Sequence, residues 1–213
     1  MFNHIPFYHH PCSLTIAVSG CLNGDALRYD GGHKHIRLIT DFIGQYAQLM
    51  PLCPEAQAGL GTPRPPMQLV QTQDGIKALR IEDGSDLTPK LMAWIAPAVQ
   101  HLNGRIDGAI LKKRSPSCGI QTTPLYAENG DIIATTSGLF AESLAHLNIV
   151  LVDEEWLCDE QRAQDFLLRC LLLKESLSHQ EDALLQHYRS FIALENLQEW
   201  RNLLRNVSLN LPF

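Results

Sequence analysis

The chain has 213 residues, of which 45% are hydrophobic and 19% are charged. This composition is too apolar for a disordered protein, and the length suits one domain with an extension or two small domains. The formal net charge of -6 excludes a broadly basic surface for nucleic acid, and no apolar run reaches the roughly 18 residues of a membrane-spanning helix.

Strand-like and helical segments alternate along the first part of the chain. Short apolar runs predict strands over residues 14–19, 49–53, 108–112 and 149–152, with a further short strand over 68–72. Apolar residues at helical spacing predict helices over 36–49, 87–102 and 139–147, the second of them capped by Thr88. The alternation predicts an α/β fold with a mostly parallel sheet and flanking helices.

The pattern changes near Asp153. From there the sequence is rich in leucine and has neither Gly nor Pro before Pro212, which predicts helices, for example over 161–175 and 178–195. We therefore predict an α/β domain over 1–152 and a C-terminal α-helical extension over 153–213. The apolar positions of the extension would pack against the first domain or against a second copy of the chain, which would form a homodimer.

The N-terminal segment bears on the compartment in which the protein acts. Residues 1–12 contain no Lys or Arg and no long apolar run, so they lack the pattern of a signal peptide. We therefore expect a cytoplasmic protein without a membrane partner. In that compartment the six cysteines are expected to be reduced, metal-bound or catalytic, and not paired as disulfides.

Three of the cysteines share one sequence context. Cys21, Cys53 and Cys118 each come after an apolar strand-like run and lie beside Gly or Pro. Loops that leave the carboxyl ends of parallel strands can converge, and three convergent thiolates suit zinc or an iron–sulfur cluster. The spacing does not choose between these metals. A reactive thiolate at Cys21 or Cys118, or three small buried hydrophobic residues, also fits the pattern.

Five motifs surround these cysteines: Val18-Ser-Gly-Cys-Leu-Asn-Gly24, Arg28-Tyr-Asp-Gly31, Cys53-Pro-Glu55, Gly59-Leu-Gly-Thr-Pro-Arg64 and Lys112-x-x-Ser-Pro-Ser-Cys-Gly119. In order and rough spacing they resemble the thiouracil desulfidase family over residues 14–152. The resemblance implies a 4Fe-4S cluster bound by Cys21, Cys53 and Cys118, with one iron not bound by protein. It also implies a substrate that is a small thiolated nucleobase or nucleoside, and the acidic charge favours this over thiolated tRNA.

Two positions depart from the family pattern. The family usually has Ala before the first cysteine, where this chain has Gly20, which is a conservative change in size. The family often has Glu after the Pro-Arg-x-Pro segment, where this chain has Gln68. If that carboxylate transfers protons or contacts the substrate, activity or substrate choice will differ here.

The implied reaction is hydrolytic, without net redox change, and gives the oxo compound and sulfide. Iron would polarise the thiocarbonyl sulfur, water would add to the ring carbon, and the C–S bond would break. Glu55 lies two residues after a cysteine and is predicted to be the general base, with Ser115 and Ser117 as hydrogen-bond partners. Alternatively, Glu55 caps a helix or supports a ligand, and the serines form turns.

Polar residues in two loops are candidates for substrate binding. Arg28, Tyr29 and Asp30 form a loop that is predicted to close over the substrate, and Arg64 lies between two prolines that stiffen its backbone. Arg28–Asp30 could equally be a surface pair, and Arg64 could form a salt bridge within the fold. The alternative function is that of a zinc-binding structural or binding protein that uses the same three cysteines.

Overall fold

The structure is a computed structural model and describes residues 14–176. The strands of this part are β1 (Leu14–Ser19), β2 (Ala47–Leu52), β3 (Met67–Thr72), β4 (Gly75–Arg80), β5 (Gly108–Leu111), β6 (Thr123–Tyr126), β7 (Ile132–Thr136) and β8 (Val150–Asp153). The α-helices are α1 (Gly20–Asn23), α2 (Pro54–Gln57), α3 (Thr88–Leu102), α4 (Leu139–Leu144) and α5 (Glu160–Ser176). Within the same residues, none of the helices has the length and apolar character that crossing a membrane requires.

The first sheet has the strand order β2-β1-β5-β8, and all of its neighbouring strands are parallel. Both of its faces are buried, because Ile16 and Val18 of β1 pack into one apolar cluster while Ala17 packs into another. Helix α5 covers the first face, and helices α3 and α4 contribute to the cluster on the second face. This arrangement confirms the predicted α/β class and the parallel sheet with flanking helices.

The second sheet is mixed, with the strand order β4-β3-β6-β7. Strands β3 and β4 form an antiparallel hairpin, β3 pairs with β6 in parallel, and β6 pairs with β7 in antiparallel. Of the four strands of this second sheet, the sequence predicted only β3. Strand β7 is almost wholly exposed and β6 contains Pro124, so neither has the apolar run that marks a buried strand.

The predicted helix over 36–49 is wrong at its C-terminal end. A π-helical turn over Leu38–Phe42 and a 3-10 turn over Ile43–Gln45 lead directly into β2, which begins at Ala47. Residues Ala47–Leu52 pair in register with Leu14–Ser19 of β1, and this pairing overrides the helical spacing.

The predicted cap of helix α3 is also wrong. Thr88 does not cap this helix, because it is already a residue of α3 and its Oγ1 accepts the backbone N–H of Ala78 at 2.9 Å.

Helix α5 matches the predicted helix over 161–175 to within one residue at each end. Its residues Phe166, Leu167 and Cys170 are fully buried in the cluster that also contains Ile16. The first helix of the extension is therefore part of the core. The boundary near Asp153 stays a prediction, and the helix predicted over 178–195 and the homodimer contact lie outside the described residues.

Candidate functional site

A cavity of about 480 Å³ lies beyond the carboxyl ends of β2, β1 and β5. Its lining includes residues at or just after these strand ends: Leu52, Cys53, Ser19, Gly20, Cys21 and Lys112. Residues of the second sheet, among them Gln68 and Tyr126, contribute to the lining as well. Such a crevice is where parallel α/β sheets commonly bind ligands.

All three singled-out cysteines line this cavity. Cys21 lies in α1 directly after β1, Cys53 precedes α2 directly after β2, and Cys118 lies in the loop that follows β5. Cys21 and Cys118 are buried, and Cys53 is partly exposed. The structure therefore brings together three thiols that are distant in sequence. Within residues 14–176, no three His, Cys, Asp or Glu side chains are close enough to hold a single metal ion.

The cavity perturbs its thiols electrostatically. Burial, with a smaller contribution from Cys53, raises the pKa of Cys21 to about 11, and the charges of Lys112 and Arg28 partly oppose this rise. Burial also raises the pKa values of Cys53 and Cys118, and both Cys53 and Cys21 raise that of Cys118 further. In the metal-free protein the thiols are therefore protonated near neutral pH, and metal binding must displace their protons.

The loop that carries Cys118 is held by Ser115. The Oγ of Ser115 accepts the backbone N–H groups of Ser117 at 3.2 Å and of Cys118 at 3.1 Å. The hydroxyl of Thr123 donates to the carbonyl of Ser115 at 2.8 Å. Ser115 thus makes the turn-forming contacts that the sequence offered as the alternative to a catalytic role. Its hydroxyl also makes a longer contact of 3.5 Å to Glu55 Oε1.

Glu55 is at the centre of a buried polar group. Its Oε1 accepts the hydroxyl of Ser117 at 3.0 Å, and its Oε2 accepts Arg64 Nε at 2.8 Å and Nη2 at 2.6 Å. The side chains of Glu55 and Arg64 are only 14% and 6% exposed. Such a two-point contact fixes a carboxylate in one orientation. Oε1 therefore has one short hydrogen bond, from Ser117, and one longer contact, from Ser115.

The other N–H groups of Arg64 donate to backbone carbonyls and to the hydroxyl of Thr62. Nη1 donates to the carbonyls of Leu27 at 3.1 Å and Gly61 at 2.9 Å, and Nη2 also donates to Leu27 at 3.1 Å. The backbone N–H of Arg64 donates to the carbonyl of Tyr29 at 2.8 Å. The side chain therefore ties three loops around the cavity, and the salt bridge that the sequence left open is formed with Glu55.

The loop of Arg28, Tyr29 and Asp30 lies at the cavity. Arg28 and Tyr29 line it, and the Tyr29 side chain is 46% exposed with the Arg28 guanidinium 5.5 Å from its ring centroid. Asp30 pairs with Arg28 at 3.1 Å and accepts the backbone N–H of Gly32 at 3.0 Å. The loop thus places a cation and an aromatic ring at the cavity, and Asp30 stabilises the loop through its contacts with Arg28 and Gly32.

The two departures from the family pattern both lie at the site. A methyl group built at Gly20 would be 2.9 Å from Asp25 Oδ2 and 2.9 Å from Leu27 Cδ1, so these two side chains fill the space that an alanine would need. Gln68 lines the cavity from β3 and places a neutral amide there.

The cavity lining also includes polar residues that received no role from the sequence, among them Ser19, Lys112 and Tyr126. Lys112 pairs with Glu154, whose other carboxylate oxygen accepts the backbone N–H of Lys113 at 2.6 Å. Ser19 and Lys112 each lie within a quoted motif, at or directly after the end of a strand. That position is the signal that could have identified them.

Gly138 is a close neighbour of the Cys118 loop. It precedes α4, and a methyl group built on it would be 2.4 Å from the carbonyl carbon of Ser117 and 2.7 Å from the backbone nitrogen of Cys118. We expect Gly138→Ala to lower the free energy of unfolding by about 1–3 kcal/mol and to reduce iron loading, since the clash is with backbone. Thermal unfolding and iron analysis measure both effects.

Gly44→Ala is the matched control for this prediction. A methyl group at Gly44 meets its nearest neighbour, Leu49 Cδ1, at 3.5 Å, which is an ordinary van der Waals contact. If the two variants unfold at the same temperature and load the same amount of iron, the close approach at Gly138 does not constrain the site.

Comparisons with known proteins agree with this geometry. The family model described as 2-thiouracil desulfurase matches residues 16–156, a segment that contains all three cysteines. The uncharacterized protein YbbK of Bacillus subtilis (strain 168) is 31% identical over 110 residues, which cover 49% of this chain and 72% of YbbK. A solved structure described as the 4Fe-4S-dependent thiouracil desulfidase TudS is similar, with a TM-score of 0.55 and 30% identity, and the match covers 68% of this chain and 94% of that one.

Proposed function

The chain belongs to the 2-thiouracil desulfurase family, as its motifs predicted, and from this premise we propose that it is a 4Fe-4S-dependent desulfidase. Its substrate is thiouracil or a related thiolated nucleobase or nucleoside, from which it removes sulfur hydrolytically. The observation that carries this proposal is the cavity at the ends of three adjacent parallel strands, with one cysteine from each strand end or following loop.

The residues of the cavity fit an iron–sulfur cluster. Cys21, Cys53 and Cys118 would hold it, and with three cysteine ligands one iron of a 4Fe-4S cluster would have no protein ligand. The charges of Lys112 and Arg28 beside Cys21 offset the negative charge of the thiolates. When bound, the cluster supplies a Lewis acid for the thiocarbonyl sulfur of the substrate.

Glu55 is the general base of the proposed reaction. Its Oε1 takes the proton from a water molecule as the water oxygen bonds to the ring carbon, and the C–S bond then breaks so that sulfur leaves as sulfide. The carbon keeps its oxidation level, so no external oxidant or reductant is needed. Ser117 holds Oε1 and Arg64 holds Oε2, so both are positioning residues for this carboxylate.

The rim residues fit a small planar substrate. The exposed ring of Tyr29 offers a stacking surface to a nucleobase, and Arg28 adds hydrogen-bond donors beside it. Asp30 holds Arg28 in place through their ion pair. Gln68 can both donate and accept a hydrogen bond at the ring edge, whereas a carboxylate in its place could only accept.

Anaerobic purification with metal analysis tests the proposal. We expect a coloured protein with iron and acid-labile sulfide, which releases sulfide and forms uracil when incubated with 2-thiouracil. A colourless protein with stoichiometric zinc and no sulfide release would overturn the proposal and favour the zinc-binding alternative.

A further inference from the structure

One face of the second sheet forms part of the cavity wall. Tyr126 of β6 pairs in parallel register with Val70 of β3, so their side chains lie on the same face of the sheet. Because side chains alternate along a strand, Gln68 and Pro124 lie on this face as well, and Gln68, Pro124 and Tyr126 all line the cavity. Neighbouring strands are about 4.8 Å apart, so the polar side chains of Gln68 and Tyr126 can reach one small ring.

These two side chains are available to bind a ligand. Both are partly buried, and within residues 14–176 neither the Gln68 amide nor the Tyr126 hydroxyl makes a hydrogen bond. Glu55 and Arg64, which line the same cavity, are instead committed to each other through their salt bridge. A few polar groups that converge on a ligand pocket fix the orientation of the ligand, and Gln68 and Tyr126 have their hydrogen-bonding capacity left for this purpose.

Both groups can act as hydrogen-bond donors and as acceptors. A carboxamide has a donor beside an acceptor, and half a turn of the amide exchanges them, while a phenol hydroxyl donates one hydrogen bond and accepts others. Thiouracil presents a ring N–H beside a carbonyl oxygen, whereas thiocytosine presents a ring nitrogen that accepts beside an amino group that donates. These two edges have opposite polarity. A carboxylate or an ammonium group has a fixed polarity, but Gln68 and Tyr126 can match either edge.

We propose that Gln68 and Tyr126 are specificity-determining residues that bind the hydrogen-bonding edge of the pyrimidine ring, and that they admit 2-thiocytosine as well as 2-thiouracil. The inference rests on the proposed function, since it takes this cavity as the desulfidase site. With 2-thiocytosine, the oxygen of water bonds to the thiocarbonyl carbon and the C–S bond breaks, which gives cytosine and hydrogen sulfide. The carbon keeps its oxidation level, so the step consumes no oxidant or reductant.

The test measures kcat and KM of the loaded full-length protein for 2-thiouracil and 2-thiocytosine, with sulfide and the product base followed together. We expect the two kcat/KM values of the wild type to agree within about tenfold, the usual effect of one hydrogen bond. Gln68→Glu replaces the amide with a group that only accepts, so we expect KM to rise about tenfold for both bases with kcat little changed. Tyr126→Phe keeps the ring and loses the hydroxyl, so we expect KM to rise about fivefold.

Gln71→Glu is the matched control, because it places the same charge on the same strand at an exposed residue that does not line the cavity. Inhibition by uracil and by cytosine measures binding without the chemical step, and we expect Gln68→Glu to weaken both. Turnover of 2-thiouracil but not of 2-thiocytosine overturns the inference and leaves the proposed function standing. The same holds if Gln68→Glu and Tyr126→Phe have the KM values of Gln71→Glu. A loaded protein that releases sulfide from neither base overturns both.

Discussion

Replacing Cys21 with alanine is expected to abolish cluster binding and, with it, sulfide release from 2-thiouracil. The two remaining cysteines would leave a second iron without a protein ligand. A Lewis-acid metal contributes several kcal/mol to a reaction and each 1.36 kcal/mol is a factor of ten, so we expect turnover to fall more than about 10³-fold. Iron content, visible absorption and sulfide release measure the loss.

The fold of this variant should survive. Cys21 lies in the short helix α1, alanine is the best helix former, and the thiol has no disulfide partner to lose. Cys158→Ala is the matched control, because Cys158 is exposed and does not line the cavity. A Cys21→Ala protein that keeps its iron and its colour would contradict the ligand assignment.

Glu55→Gln is expected to keep the cluster and lose turnover by about 10²–10⁴-fold, the usual contribution of a general base. Glutamine keeps the size of the side chain and an acceptor for the Ser117 hydroxyl, but it cannot take a proton from water. Metal analysis and the rate of sulfide release separate the two effects, since the three cysteines are untouched.

The same substitution removes the charge opposite Arg64, so its effect on stability must be separated from its effect on chemistry. Arg64→Lys keeps a positive charge against Glu55 and loses the two-point contact, so we expect a smaller loss of turnover with the carboxylate intact.

Two outcomes would contradict these assignments. If Glu55→Gln turns over like the wild type, the general-base assignment is wrong. If Arg64→Lys loses as much as Glu55→Gln at equal iron content, the pair acts mainly by shaping the cavity.

The buried parallel sheet could be predicted from local sequence. Strands β1, β5 and β8 are short apolar runs with both faces buried. Such runs can be recognised in the sequence without knowing which strands they pair with. The start of strand β2 was predicted to be the end of a helix, because the residues before it have helical spacing. Its strand conformation comes from pairing with β1. The exposed strand β7 has no such signal, since only pairing with β6 makes it a strand.

For the candidate site, too, some features could be predicted from local sequence and others depend on the folded structure. By itself, the sequence determined the parallel α/β class, the family and the three cysteines as a group, because motifs and apolar runs are local in the chain. Only the tertiary structure decided that Glu55 is held between Arg64 and Ser117, the latter 62 residues away, and that Ser19 accepts the backbone N–H of Lys112. Hydrogen bonds of this kind depend on which strand ends are neighbours, and strand order is a property of the folded sheet.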